Sequence, residues 1–201
     1  MLTKNIHDKF VYNRRMDLLS NFISERLYVG QRILDIGCGD GKIDHLIMQK
    51  KKVDIIGVDV LVRDTTYIPV QEYDGRALPF NDNEFDSAIF IDVLHHIDNP
   101  HDILKEAKRV TKGKIIIKDH LREGVFAYST LKFMDYVGNA HYGVRLPNNY
   151  LNKNEWDALF HEIGLTHKGY ITKLSLYPFP FNLFFDRRLH FITTLNYEKE
   201  R

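Results

Sequence analysis

The sequence has little that would suit an oxidising compartment or a membrane. Cys38 is the one cysteine among 201 residues, so no intramolecular disulfide can form and a reducing environment is expected. No secretory leader is recognisable at the start. No run approaches the roughly 18 apolar residues of a membrane-spanning helix. These absences predict a cytoplasmic protein without a transmembrane segment.

An excess of charge of either sign is also missing. The chain has 28 Lys and Arg residues against 27 Asp and Glu residues, a formal net charge of +1. It therefore has no overall basic field for a nucleic acid backbone. Its composition, 44% hydrophobic and 27% charged, is ordinary for a folded protein with a real core. The length fits one domain.

Apolar runs and helical spacings alternate over the first part of the chain. A strand-helix alternation of this kind predicts a parallel sheet with right-handed crossovers. Asn99 and Pro100 are typical of the cap and first residue of a helix. The predicted helices are 4–27, 41–50 and 100–113, and the predicted strands are 32–37, 53–60, 70–73, 85–93 and 114–118.

The last third has a different pattern. Helical spacing predicts a helix over 121–138, and 143–150 reads as a loop. Asn152 and Glu155 have the spacing of a capping box, which predicts a helix that runs to about residue 163 and is closed by Gly164. Two strands with no helix between them, 170–176 and 189–197, predict an antiparallel hairpin at the sheet edge.

A glycine loop follows the first predicted strand, in the run Leu34-Asp-Ile-Gly-Cys-Gly-Asp-Gly41. Glycines between a strand and a helix let the backbone approach a ligand closely and leave helix N–H groups facing it. Dinucleotide-binding folds use G-x-G-x-x-G. Here the third glycine comes one residue early and Lys42 stands at its usual place, which weakens that interpretation.

The pattern Asp35-x-Gly37-x-Gly39-x-Gly41 resembles the first motif of class I S-adenosylmethionine-dependent methyltransferases. Three further segments resemble the family's next motifs in the correct order. They are Ile55 to Asp59, Tyr73 to Phe80, and Phe85 to His96, which contains the Val93-Leu-His-His sequence.

The resemblance implies a fold and a division of the chain. The fold would be Rossmann-like α/β, with a mostly parallel seven-stranded sheet, helices on both faces and the C-terminal antiparallel hairpin. Residues 1–201 would form one methyltransferase domain. Within it, 1–29 would be a helical cap, 30–120 the cofactor-binding half and 121–201 the acceptor-side half.

The resemblance also implies contacts to the donor, S-adenosylmethionine, and to its product S-adenosylhomocysteine. Asp35 would face the methionine end, Asp59 the ribose hydroxyls, and Asp74 the adenine amino group. A carboxylate suits the two vicinal hydroxyls because it accepts both protons. The complete set of expected donor contacts is Asp35, Gly37, Cys38, Gly39, Gly41, Asp59, Val60, Asp74, Gly75, Asp92 and Val93.

Histidines supply the candidate catalytic groups. His120 follows the strand 114–118, at the sheet end where α/β folds bind ligands, and imidazole titrates near neutral pH. His141 lies in a loop that could close over an acceptor. Both are candidate bases, with a structural role left open for each. For His95 and His96, too, a structural role and an acceptor-facing role are both left open. Cys38 reads as a packing residue and not as a nucleophile.

The sequence predicts no bound metal ion. Asp92 and Asp119 resemble positions that hold a divalent cation in some small-molecule O-methyltransferases of this fold. However, the family's Asp-Asn pair after the fifth strand is replaced here by Asp119-His120, and no zinc spacing is present.

The acceptor is expected to be a small molecule, apolar or aromatic. The last third is rich in aromatic residues, which form either a core or an acceptor pocket. The segment 176–185 allows peripheral contact with lipid. The alternatives are an RNA- or protein-directed methyltransferase, a non-catalytic S-adenosylmethionine-binding protein, and a nicotinamide-dependent oxidoreductase. The oligomeric state is left open.

Overall fold

Seven strands form one sheet in the computed structural model, which describes residues 11–139 and 147–198. In chain order they are β1 (Arg32–Ile36), β2 (Asp54–Asp59), β3 (Val70–Glu72), β4 (Ser87–Ile91), β5 (Lys114–His120), β6 (Thr166–His167) and β7 (His190–Asn196). Their order across the sheet is β3-β2-β1-β4-β5-β7-β6. Strands β1 to β5 pair in parallel, and β7 is antiparallel to β5 and β6. The predicted mostly parallel sheet is confirmed.

Helices cover both faces of the sheet, as predicted. In β5, Ile116 packs in a cluster with residues of α1 and α2, whereas Ile115 and Ile117 pack in the cluster that contains α3 and α5. Among the described residues, no helix has the length and apolar character that crossing a membrane requires. The helices are α1 (Asn13–Ser24), α2 (Lys42–Lys50), α3 (Pro100–Val110), α4 (Ala127–Asn139), α5 (Lys153–Glu162) and α6 (Asn182–Phe185), with a 3-10 turn at Leu94–His96.

Two local predictions need correction. The antiparallel C-terminal pair is present, but its edge strand is β6 and not 170–176, where only Ile171 forms a bridge, to Ile192. Leu174 and Leu176 are instead buried in the cluster that contains α1. Pro100 begins α3 as expected, but Asn99 does not cap it through its side chain, because its amide donates to Asp102 Oδ2 at 2.8 Å.

The start of α5 is fixed by the predicted capping box. Asn152 Oδ1 accepts a hydrogen bond from the Glu155 N–H at 3.0 Å, and Glu155 Oε2 accepts one from the Asn152 N–H at 2.7 Å. The helix buries Trp156, whose Nε1 donates to the carbonyl of His120 at 3.2 Å. The capping box therefore helps to position the end of β5.

We expect Asn152→Ala to lower the free energy of unfolding by about 1 kcal/mol, because a helix N–H loses its acceptor. Urea unfolding would measure this loss. Asn154→Ala is the matched control, since Asn154 is exposed within the same helical turn. Equal effects of the two variants would contradict a capping role.

Candidate active site

The glycine loop after β1 contains two glycines with distinct roles. Gly37 and Gly39 both have a positive φ, 79° and 60°. A Cβ on Gly37 would lie 2.2 Å from Val93 Cγ2, whereas a Cβ on Gly39 would meet nothing within 4 Å. Gly37 is therefore required for packing, and Gly39 leaves open space beside the loop.

The close approach of Gly37 to Val93 joins the loops that follow β1 and β4. These two strands are neighbours at the point where the strand order reverses, since β2 and β3 lie to one side and β4 and β5 to the other. In open α/β sheets, ligands bind in the crevice at the carboxyl ends of the strands at such a point. The predicted donor loop and the histidines after β4 meet at this crevice.

Asp59 ties the end of β2 to the glycine loop. Its Oδ2 accepts a hydrogen bond from the Gly39 N–H at 2.8 Å, and its Oδ1 accepts one from the Leu61 N–H at 2.9 Å. Each carboxylate oxygen has a further lone pair. The carboxylate can therefore order the loop and still accept protons from hydroxyl groups. Val60, beside it, is 56% exposed.

Cys38 packs against β2. A Cβ on Gly57 would lie 2.3 Å from Cys38 Sγ, so the thiol occupies the space that this glycine leaves. Burial, followed by the charge of Asp35, raises the pKa of the Cys38 thiol. A thiol in this state is a poor nucleophile.

Asp74 lies at the surface beyond β3. Its Oδ1 accepts hydrogen bonds from the N–H groups of Arg76 and Ala77 at 2.9 and 3.2 Å, and these bonds lower its pKa. Gly75 follows it with a positive φ of 78°. The structure thus gives Asp74 a turn-capping role, and its contact with adenine stays a prediction.

Two buried carboxyl groups lie beneath the glycine loop. Asp35 and Asp44 are 2% and 0% exposed, and Asp35 Oδ1 and both Asp44 oxygens lack a hydrogen-bond donor among the described residues. Burial raises the pKa of Asp44 to about 7, and burial followed by the Asp44 charge raises the pKa of Asp35 well above its usual value. Such a pair needs a proton or a cationic group beside it.

His95 lies between two carboxylates at the carboxyl ends of β4 and β5. Its Nδ1 is 2.6 Å from Asp119 Oδ1, and its Nε2 is 3.5 Å from Asp135 Oδ1. Burial lowers the pKa of His95, but the carboxylates of Asp119 and Asp135 outweigh it and raise the pKa to about 9. The ring is therefore an imidazolium at neutral pH.

Three further histidines are neutral rings: His96 and His120 lie beside His95, and His190 lies beside His120. His120 Nδ1 is 3.2 Å from His95 Nδ1, and the rings of His120 and His190 are 5.0 Å apart. Burial, followed by the charge of His95, lowers the pKa of His120 to about 4. Burial also lowers the pKa of His96 and that of His190. We call His95, His96, His120 and His190 the histidine cluster.

Asp92 is held by two cations beside the cluster. Its carboxylate contacts Arg15 and the fully buried Lys118, and its backbone has a positive φ of 56°. Burial opposes ionisation, but Lys118 and Arg15 keep the pKa of Asp92 well below its usual range. A contact between Asp92 and the donor stays a prediction, because both cations compete for the same carboxylate.

Five residues of the site were not predicted from the sequence, and they reach the site through long-range contacts. Lys118 directly follows three isoleucines of β5, which is a readable signal of a special role. The others carry no such signal, since they reach the site from distant elements. The five are Arg15, Asp44, Lys118, Asp135 and His190. His141, one of the two predicted bases, lies outside the described residues.

Three overlapping groups could hold a metal ion by distance alone. Lys118 and Arg15 oppose a cation next to Asp92, and the 2.6 Å contact of Asp119 with His95 is a hydrogen bond rather than a spacing between two ligands. The absence of a metal stays a prediction. The groups are Asp92-His120-His190, His95-Asp119-His120 and His95-His96-Asp135.

The family described as "Methyltransferase domain" matches residues 7–167, most of the chain. The chain belongs to this methyltransferase family. The predicted family membership is confirmed, and the early third glycine of the loop is thereby assigned to a methyltransferase motif instead of a nicotinamide-binding one.

Curated relatives match part of the chain. An uncharacterized protein of Methanocaldococcus jannaschii is 34% identical over 112 residues, which are 55% of this chain and 52% of that protein. Phosphoethanolamine N-methyltransferase 1 of Arabidopsis thaliana is 25% identical over 127 residues, 56% of this chain and 26% of that enzyme. The chain thus spans about half or less of the length of these relatives.

Solved structures share the fold over nearly the whole chain. A chain in the complex of the Haloferax volcanii Trm112 methyltransferase activator with its methyltransferase has a TM-score of 0.71 at 16% identity, covering 96% of this chain and 94% of that one. Geranyl diphosphate methyltransferase, solved with geranyl diphosphate and sinefungin, has a TM-score of 0.63 at 13% identity, covering 89% and 76%. The fold is therefore that of class I methyltransferases.

We expect His95 and His120 to make opposite contributions to the pH dependence of stability. The raised pKa of His95, about 9, gives stability that is present below pH 6.5 and is lost towards pH 9. The lowered pKa of His120, about 4, costs stability as the pH falls from 6.5 towards 4. Each change is on the order of 3 kcal/mol.

Urea unfolding of the parent and of His95→Gln and His120→Gln, from pH 4 to pH 9, would test both expectations. The difference between parent and variant isolates each histidine from Asp35 and Asp44, which also titrate. The difference in the free energy of unfolding between the parent and His95→Gln should shrink above pH 6.5. The same difference for His120→Gln should shrink below pH 6.5. Differences that do not depend on pH would contradict the charge assignment.

Proposed function

We propose that this protein transfers the methyl group of S-adenosylmethionine to a small apolar or aromatic acceptor by in-line displacement. The contact of Gly37 with Val93 carries the proposal, because it places the glycine loop directly beside the histidine cluster. A donor held by the loop would then have its reactive end within reach of these histidines. Family membership supports the same donor.

The residues around the loop fit this donor. The space in front of Gly39 would admit it, and Asp59 would accept protons from its ribose hydroxyls. Asp35, whose buried Oδ1 has no hydrogen-bond partner among the described residues, would accept the ammonium group of the methionine end. Asp74 would accept a hydrogen bond from the adenine amino group.

The burial of the histidine cluster favours a small acceptor. His95 and His120 are 1% and 7% exposed, so only a compact or projecting group would reach them. The rings of Tyr150 and Tyr177 lie 5.6 and 5.8 Å from those of His95 and His190, which suits an apolar or aromatic acceptor. The near-balanced charge argues against RNA.

His120 is the proposed base. When bound, S-adenosylmethionine supplies an electrophilic methyl carbon on a positively charged sulfur. Neutral His120 would take the proton that the acceptor loses on methylation. The crevice contributes by aligning the two reactants and excluding water.

We expect isothermal calorimetry to show binding of S-adenosylmethionine and S-adenosylhomocysteine but not of NAD. Asp59→Asn should weaken both affinities by at least about tenfold, because a charged acceptor of hydroxyl protons is lost. Asp64→Asn, at an exposed position in the following loop, is the matched control. A preference for NAD would overturn the donor assignment.

We expect His120→Gln to lower kcat about tenfold towards acceptors that must lose a proton, with donor affinity unchanged, because a base whose pKa is about 4 is weak at neutral pH. Labelled S-adenosylmethionine with a panel of phenols, amines and isoprenoid alcohols would provide the assay. His161→Gln, at an exposed histidine of α5, is the control. Label found only in added RNA or protein would overturn the small-molecule proposal and leave the donor assignment standing.

A further inference from the structure

Apolar side chains are concentrated on one exposed surface outside the crevice. They come from two segments, 125–137 and 179–184, and each is more than half exposed. Scattered exposed apolar residues are ordinary, but a contiguous group marks an interaction site. We call this the aromatic surface, and it consists of Val125, Phe126, Phe133, Tyr136, Val137, Phe179, Leu183 and Phe184.

The two segments form a single face. The ring of Phe133 in α4 stacks on Phe185 of α6 with centroids 6.5 Å apart. Arg187 Nη2 also donates to Thr130 Oγ1 at 3.0 Å. The apolar residues of both segments are therefore held together as one surface.

Helix α4 is apolar on the side that faces water. Its buried face is a stripe of Ala127, Leu131 and Asp135, at the spacing of one residue every helical turn. Phe133, Tyr136 and Val137 point away from that stripe and are 54% to 64% exposed. A helix facing only water would be polar on this side.

Within 125–138 and 176–189 the exposed charged side chains are positive. Lys132, Arg187 and Arg188 are exposed. The two acids within 125–138 and 176–189 are turned inward, since Asp135 is 4% exposed and Asp186 accepts hydrogen bonds from two backbone N–H groups at 3.1 Å. The surface therefore presents an apolar centre with a cationic border.

The backbone at Phe126 favours exposure of its ring. This residue has a positive φ of 58°, which a bulky side chain rarely adopts, and it is 75% exposed. Strained backbone of this kind is typical of functional positions. The conformation costs free energy and gains no buried contact for the phenyl ring within the described chain.

We propose that the aromatic surface docks on an anionic phospholipid bilayer. Aromatic rings and leucine enter the boundary between headgroups and acyl chains, and lysine and arginine pair with anionic headgroups. A second copy of the chain fits less well. In a two-fold contact the same cations would face each other across the interface.

The position of this surface connects it to the crevice. Asp135, on the inner side of α4, contacts His95, and Leu189, which follows Arg188, accepts the Leu121 N–H at 2.8 Å. One helix thus separates the bilayer from the histidine cluster, which suits an acceptor that dissolves in lipid. Membrane docking itself is independent of the proposed chemistry.

Co-sedimentation of the full chain with vesicles, without donor or acceptor, would test the inference. We expect binding to phosphatidylcholine mixed with phosphatidylglycerol, weaker binding to phosphatidylcholine alone, and release at high salt. The double variant Phe126→Asn, Phe184→Ser should weaken binding at least about tenfold. Asparagine adopts a positive φ readily, so a loss of binding would not reflect unfolding.

Further variants separate the contribution of the cations to vesicle binding from that of the apolar side chains. Lys132→Gln with Arg188→Asn should remove the preference for anionic lipid. Tyr28→Ser with Val29→Ser, at side chains that are 69% exposed just before the start of β1, should leave binding unchanged. Failure of the parent chain to bind either vesicle would overturn the proposal. So would a dimer, detected by light scattering, that the Phe126→Asn, Phe184→Ser variant dissociates.

Discussion

The buried carboxylate of Asp119 is the group on which the histidine cluster depends. It accepts the Leu94 N–H at 2.9 Å and contacts His95 Nδ1 and the His120 N–H at 2.6 Å each. It therefore fixes the turn after β4 to the end of β5. Its charge also keeps His95 protonated, and burial together with that cation, 3.2 Å away, lowers the pKa of His120 and keeps it neutral. One carboxylate thus sets both the geometry and the charge of the cluster.

The two sides of the crevice differ in electrostatic balance. Around the histidine cluster each buried acid has a cationic neighbour, as Asp92 has in Arg15 and Lys118. Beneath the glycine loop Asp35 and Asp44 are buried without such a neighbour, and burial raises the pKa of both carboxyl groups. This pair is therefore balanced by a retained proton, whereas the cluster is balanced by side-chain cations.

Local patterns in the sequence predicted much of the fold. Some features depend only on residues close together in the chain and can be recognised from the sequence alone. They include the β-branched runs of β1, β2 and β5 and the Asn152-Glu155 capping box. The glycine loop is likewise a local feature. The edge strand was predicted at 170–176 and not at β6, because the position of an edge strand depends on which residues of β7 are free to pair with it. A strand whose partner lies far away in sequence carries little information about its ends.

The histidine cluster was predictable only in part. His120 follows a recognisable strand, and His95 and His96 follow another. Asp135 and His190 come from α4 and β7, and nothing near them in sequence indicates that they meet the other histidines. The protonation states of the histidines depend on these neighbours, which are distant in sequence. A cationic His95 and a neutral His120 follow from burial and packing and not from residue type.

The insertion of β7 between β5 and β6 has a consequence for how the protein reaches its folded state. Strands β1 to β5 and their helices can assemble progressively along the chain. The outer edge of β5, in contrast, pairs with residues as distant as Asn196, opposite Lys114. Closing so long a loop is slow, and until it happens β5 is an open edge that can pair with other chains. Because His190 lies on β7, the histidine cluster is complete only when this strand has paired with β5, whereas the glycine loop depends on β1, β2 and β4.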